Sequence, residues 1–152
     1  MRVHVLTREQ MLDSPVEAVF PFFADARNLE AITPPLLRFR VVTPGEIAMR
    51  PGTLIQYRLR LHGLSLDWLT RIAEWEPGVR FVDEQIAGPY RLWHHTHEFE
   101  PAAGGRTLMR DTVRYALPLW PLGELAAPLV RRDLARIFDH RRSACAERFG
   151  GP

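Results

Sequence analysis

The chain has 152 residues, an apolar fraction of 46%, a charged fraction of 25% and a net charge of +2, the size and balance of one soluble globular domain. Its single cysteine, Cys145, excludes an internal disulfide and a cysteine-based zinc cluster. All 20 basic residues are Arg, so the sequence pI of about 9.2 reflects missing Lys as much as excess charge.

The start, Met1-Arg2-Val3-His4-Val5, lacks the apolar core of a signal peptide. No apolar run approaches the roughly 20 residues of a membrane span, so no transmembrane segment is expected and the default compartment is the cytoplasm. Residues 2–12 alternate and read as a strand. Ser14-Pro15-Val16-Glu17 has the form of a capping box, with Pro15 at the first helical position. It predicts a short helix through Val16, Val19, Phe20 and Phe23, limited by Pro21. Asp25 caps a second short helix that Pro34-Pro35 stops.

Six strands are expected near 36–43, 52–62, 65–75, 79–86, 90–100 and 106–117. They are punctuated by Pro44-Gly45, Pro51-Gly52, His62-Gly63, Pro77-Gly78, Gly88-Pro89 and Gly104-Gly105. Turns this close demand antiparallel pairing. The block 121–149 is helical. Leu122, Leu125, Leu129, Val130, Leu134, Ile137, Phe138 and Cys145 mark its apolar face. Arg131, Arg132, Arg136, Asp139, Arg141, Arg142 and Arg148 mark a solvated one. Pro128 either kinks this helix or marks where its continuous part begins.

This order, with the strings FVDEQIAGPYRLWHHTHEF and NLEAITPPLLRFRVV, resembles the START-like or SRPBCC superfamily, which includes polyketide cyclases and dehydrases, lipid-transport proteins and birch-pollen-allergen-like proteins. The resemblance covers essentially the whole chain, 1–152, as a single domain. It implies an α+β helix-grip fold: a seven-stranded curved antiparallel sheet around a long C-terminal helix, two short helices after the first strand, and a cavity between sheet and helix. It implies no particular reaction.

Strand parity assigns the concave face. Trp93, His95, His97 and Phe99 share one side of their strand, as do Phe81 and Asp83, then Met109, Asp111, Val113 and Tyr115. Tyr57, Trp68 and Thr70 should point the same way. With a tight turn at 101–106, His95 falls opposite Asp111 and His97 opposite Met109, and Asp83 lies within two positions of His95. Four readings suit Asp83, His95, His97 and Asp111: a buried hydrogen-bond network, the polar end of an apolar ligand site, a general acid–base pair, or a metal site for which no motif fixes ligand number.

The expected ligand contacts are Tyr57, Trp68, Thr70, Phe81, Trp93, His95, His97, Met109, Tyr115 and Ile137. His95, Asp111 and Asp83 are the catalytic candidates if the protein is an enzyme. No metal or cofactor is called for. The expected partner is a hydrophobic small molecule such as a lipid, isoprenoid quinone or polyketide-like aromatic, bound by a carrier or sensor. Nucleic acid is not expected, and a monomer or homodimer is. The alternatives are a cyclase/dehydratase-type enzyme and a module whose Arg-rich helix face docks on ribosomes or membranes.

Overall fold

A computed structural model describes residues 1–152. Seven strands form one antiparallel sheet in the order β1-β7-β6-β5-β4-β3-β2. They are β1 (His4–Leu12), β2 (Arg40–Val41), β3 (Leu54–Leu61), β4 (Leu64–Glu76), β5 (Arg80–Ala87), β6 (Leu92–Ala102) and β7 (Arg106–Ala116). Helix α1 (Val16–Phe23) and a 3-10 helix (Ala26–Ile32) follow β1, and the long helix α2 (Ala127–Phe149) closes the chain. This is the helix-grip architecture, with the sheet wrapped on α2. No helix is long and apolar enough to cross a membrane.

Parity holds along the sheet. On β6, Trp93, His95, His97 and Phe99 are buried while their neighbours are half-exposed; on β7, Met109, Asp111, Val113 and Tyr115 are buried. A bulge between Ile72 and Glu74 resets β4, so Trp75 packs inward after Trp68, Thr70 and Ile72. The β6–β7 register differs from expectation by two residues: His95 pairs with Val113, His97 with Asp111 and Phe99 with Met109. β6 runs two residues past its expected end, to Ala102, which pairs with Arg106, and an even slip keeps every side chain on its face.

Four local expectations are corrected. Ser14 is not the cap of α1: Pro15 holds that position without a side-chain bond, and Ser14 Oγ donates to the Phe149 carbonyl at 2.7 Å instead, tying the start of α1 to the end of α2. The expected strand 36–43 shrinks to two residues, because Pro35–Leu37 forms a 3-10 turn and Arg38 adopts a left-handed φ of 46°. Leu122, Leu125 and Leu129 lie outside the core. Residues 122–126 form a 3-10 turn and α2 begins only at Ala127, with Pro128 in its first turn, so the helical period does not extend back to Leu122 and Leu125, while Leu129 lies in the first turn of α2 off its buried stripe. The fourth concerns Arg141, which is buried rather than solvated.

The core divides in three, one part being Ala26, Val41, Ile55, Tyr57 and Ile72 beneath β3. At one end Phe20, Phe22 and Phe23 of α1 pack against Phe81, Phe99, Met109 and Cys145. At the other, Trp93, Val113 and Tyr115 pack under Leu134 and Phe138 of α2. Cys145 is inert interior, its thiol pKa raised by burial. Between sheet and α2 the packing opens.

Candidate functional site

The opening is a cavity of about 470 Å³, within the range of small-molecule sites. Its walls come from the sheet (Tyr57, Leu59, Trp68, Trp93), the segment after α1 (Leu29, Ile32, Leu37, Phe39) and α2 (Val130, Leu134, Ile137, Phe138). Its lining residues Pro118, Leu119 and Ala126 are exposed, and Leu61 and Leu66 of the β3–β4 hairpin, Pro89 and Gly123 are half-buried, so the cavity opens at that edge. The hairpin tip is fastened to α2 by His62 Nε2, 2.8 Å from Asp133 Oδ2.

One end of the cavity is charged. β5 supplies Asp83, β6 supplies His95 and His97, β7 supplies Asp111, and α2 supplies Arg141, which is only 5% exposed. His95 Nε2 lies 2.8 Å from Asp111 Oδ1 and His97 Nε2 lies 2.5 Å from Asp83 Oδ2. A carboxylate only accepts, so each of those ring nitrogens carries the proton. Arg141 Nη2 donates to Asp111 Oδ1 at 3.1 Å, and His97 Nδ1 lies 3.3 Å from the same oxygen. The two imidazoles stack at 3.6 Å, and Phe81 stacks on His97 at 4.0 Å.

The charges balance. Burial raises the pKa of Asp83, but its His97 hydrogen bond and nearby cations overcome this and hold it low. Burial opposes ionisation of Asp111 too, yet Arg141 and the two histidines hold it well below the usual carboxylate range. Burial pushes His97 down, and the two carboxylates more than reverse it, so its pKa is raised. Burial and the neighbouring His97 cation lower His95. The two carboxylates thus face Arg141 and a stacked histidine pair in which His97 holds its proton more tightly than a free imidazole and His95 less tightly. Buried charges persist only when paired in this way.

His95 has the further property of a fixed tautomer. Its Nε2–H is committed to Asp111, and its Nδ1, 3.8 Å from Asp83 Oδ2, makes no hydrogen bond. Three other polar atoms, Trp68 Nε1, Thr70 Oγ1 and Arg141 Nε, are buried without partners on residues that line the cavity.

Asp83, His95 and His97 also bring potential ligand atoms within 4.8 Å of one another. Their geometry does not suit a metal ion. The rings stack with 25° between their planes, so their in-plane lone pairs run side by side rather than meeting at one point. Arg141 already supplies the compensating cation.

Of the residues singled out from the sequence, Tyr57, Trp68, Thr70, Asp83, Trp93, His95, His97 and Ile137 line the cavity. Asp111 stands behind the histidines, between them and Arg141. Phe81 and Met109 belong to the aromatic core around α1, although Phe81 reaches the site by stacking on His97. Tyr115 stacks on His4 at 5.1 Å, away from the cavity. Sequence reasoning missed Arg141. The signal was present: Leu134, Phe138, Arg141 and Cys145 are spaced four, three and four, one unbroken buried stripe of α2.

The family described as “Polyketide cyclase / dehydrase and lipid transport” matches residues 12–140. The chain belongs to this family. Solved structures agree on the fold. The ZhuI aromatase/cyclase of a Streptomyces species superposes with a TM-score of 0.77 at 13% identity, covering 97% of this chain and 93% of that one. TTHA0849 of Thermus thermophilus gives 0.69 at 22% identity, covering 95% and 96%. A START superfamily protein of Mycobacterium smegmatis gives 0.68 at 14%, covering 96% and 97%. No curated protein matches the chain in sequence. Family and fold support a hydrophobic-ligand-binding or polyketide-cyclase-like protein of the SRPBCC superfamily; identities this low carry the fold alone.

Proposed function

We propose that the protein is a carrier or sensor of a hydrophobic small molecule with one polar end, in the class of lipids, isoprenoid quinones and polyketide-like aromatics. The observation that carries this reading is the 470 Å³ apolar cavity with a single charge-balanced polar end. Apolar walls supply affinity through burial, and a few polar groups fix orientation. The unpartnered Trp68 Nε1, Thr70 Oγ1 and Arg141 Nε suit a polar end rich in acceptor oxygens. Native mass spectrometry of protein purified from its own host, followed by solvent extraction, tests it. An apolar adduct is expected, and its re-addition should change the fluorescence of Trp68 and Trp93, whose rings meet at 5.1 Å in the wall. Ligand-free protein whose fluorescence answers to none of the three ligand classes would overturn the reading.

A second reading, a cyclase/dehydratase-type enzyme, is favoured by one observation. His95 Nε2 is held by Asp111 at 2.8 Å, its Nδ1 makes no hydrogen bond, it lines the cavity, and burial lowers its pKa, which favours the free base. That is the arrangement of a general base with an orienting carboxylate. His95→Gln is then expected to abolish turnover of a polyketone substrate while the fluorescence titration still reports binding. Equal loss of binding and turnover, or unchanged turnover, counts against it.

A further inference from the structure

Three segments border the cavity, and each carries exposed apolar side chains beside the one that lines it. Leu37 lines the cavity while its neighbour Leu36 is 87% exposed; Leu66 lines it while Leu64, two residues before, is 67% exposed. On the third segment Leu119 lies at the cavity edge yet is 80% exposed, and Trp120, Leu122, Leu125 and Leu129 are exposed after it. Single exposed leucines are ordinary on a protein surface. Seven large apolar side chains on the segments around one opening are not scattered.

The backbone also works to hold them there. Leu119 has a φ of 59°, a left-handed conformation that a bulky residue adopts only when its surroundings impose it. The turn behind it leaves no room for a Cβ at Gly123, which would lie 1.8 Å from the Pro118 carbonyl oxygen, and Gly123 N donates to Leu119 O at 2.9 Å.

The charge of the rim is one-sided. Arg38, Arg91, Arg131 and Arg132 are exposed, lie within two residues of cavity-lining positions, and face no carboxylate. Of the nearby carboxylates, Glu124 is engaged by His4, Asp133 of α2 by His62, and Asp67, on the outer face of β4, by Arg58. Elsewhere Arg8, Arg58, Arg71, Arg80 and Arg110 each have an acidic partner.

We propose that the mouth face docks on an anionic lipid bilayer. The leucines and Trp120 enter the boundary between headgroups and acyl chains, and the four arginines meet the lipid phosphates. A second copy of the chain fits this face poorly, since a two-fold contact would bring the same uncompensated arginines against themselves. The proposal stands on the rim, whatever the cavity holds, and its test reads vesicle binding rather than ligand capture, so either can fail alone.

Flotation of the intact protein with vesicles of phosphatidylcholine alone, and of phosphatidylcholine with phosphatidylglycerol, decides it. Binding is expected to the anionic vesicles only, and to weaken steeply as salt rises. Leu122→Ser with Leu125→Ser, and separately Arg131→Glu with Arg132→Glu, should each lower vesicle affinity by roughly tenfold or more. All four positions are exposed, and circular dichroism checks that the fold is kept. No flotation with anionic vesicles at low salt, or flotation indifferent to both pairs, overturns the proposal. So does self-association on a sizing column that the leucine pair abolishes, or tight binding to an acidic protein without binding to vesicles.

Discussion

Asp111 Oδ1 is shared by His95 Nε2 at 2.8 Å, Arg141 Nη2 at 3.1 Å and His97 Nδ1 at 3.3 Å. Replacing Asp111 with Asn keeps the shape and an acceptor oxygen but removes the charge. Two buried cations then face one carboxylate, and breaking a buried pair costs about 3–5 kcal/mol. A urea midpoint should fall accordingly; an unchanged midpoint would mean that Arg141 finds its stabilisation elsewhere. The pH dependence has a definite sign. The raised pKa of His97 contributes stability that is complete below its unfolded value of about 6.5 and is lost as pH rises through the folded value. Asp111→Asn removes one of the carboxylates that hold that proton, so the alkaline decline should begin at lower pH than in the parent protein. The carboxylate–histidine group was legible in the sequence, because strand parity alone puts Asp83, His95, His97 and Asp111 on one face. Which histidine bonds which carboxylate was not, since a two-residue slip re-pairs them without turning any side chain over. Arg141 was misassigned on the general tendency of arginine to stay in water, although its position in the α2 stripe opposes that tendency.

Among the elements, the long strands were legible within one or two residues, because their alternation and the glycine turns between them agree. The mouth was not. Its segments are held by single backbone details that no periodicity announces: the left-handed Arg38 and Leu119, and the close approach at Gly123. Gly123→Ala tests the last of these. A methyl group cannot occupy the space taken by the Pro118 carbonyl, so residues 118–123 must shift and the bond from Gly123 N to Leu119 O must lengthen or break. Overpacking of this kind costs about 1–3 kcal/mol. The cost should be local, because no residue of 118–126 is buried. Hydrogen exchange at residue 123 should accelerate while the amides of β6 and β7 keep their protection. Equal acceleration in the sheet would show that the turn is coupled to the whole fold.

At the scale of the molecule, the helix-grip architecture follows from chain order: one strand, short helices, six strands, and a long helix that has no other apolar partner. The size of the cavity does not follow from order. It depends on how far the side chains between sheet and helix fill that space: the cluster around α1 is closed, while Trp93, Leu134 and Phe138 of the cluster under α2 face the hollow. The tip of the β3–β4 hairpin is tied to α2 by His62 and Asp133, and the imidazole there is half in water. Exposed pairs of this sort contribute no more than about 1 kcal/mol. Traffic through that side of the hollow therefore needs one weak clasp to part rather than the sheet to come undone, so the protein can exchange its contents while folded.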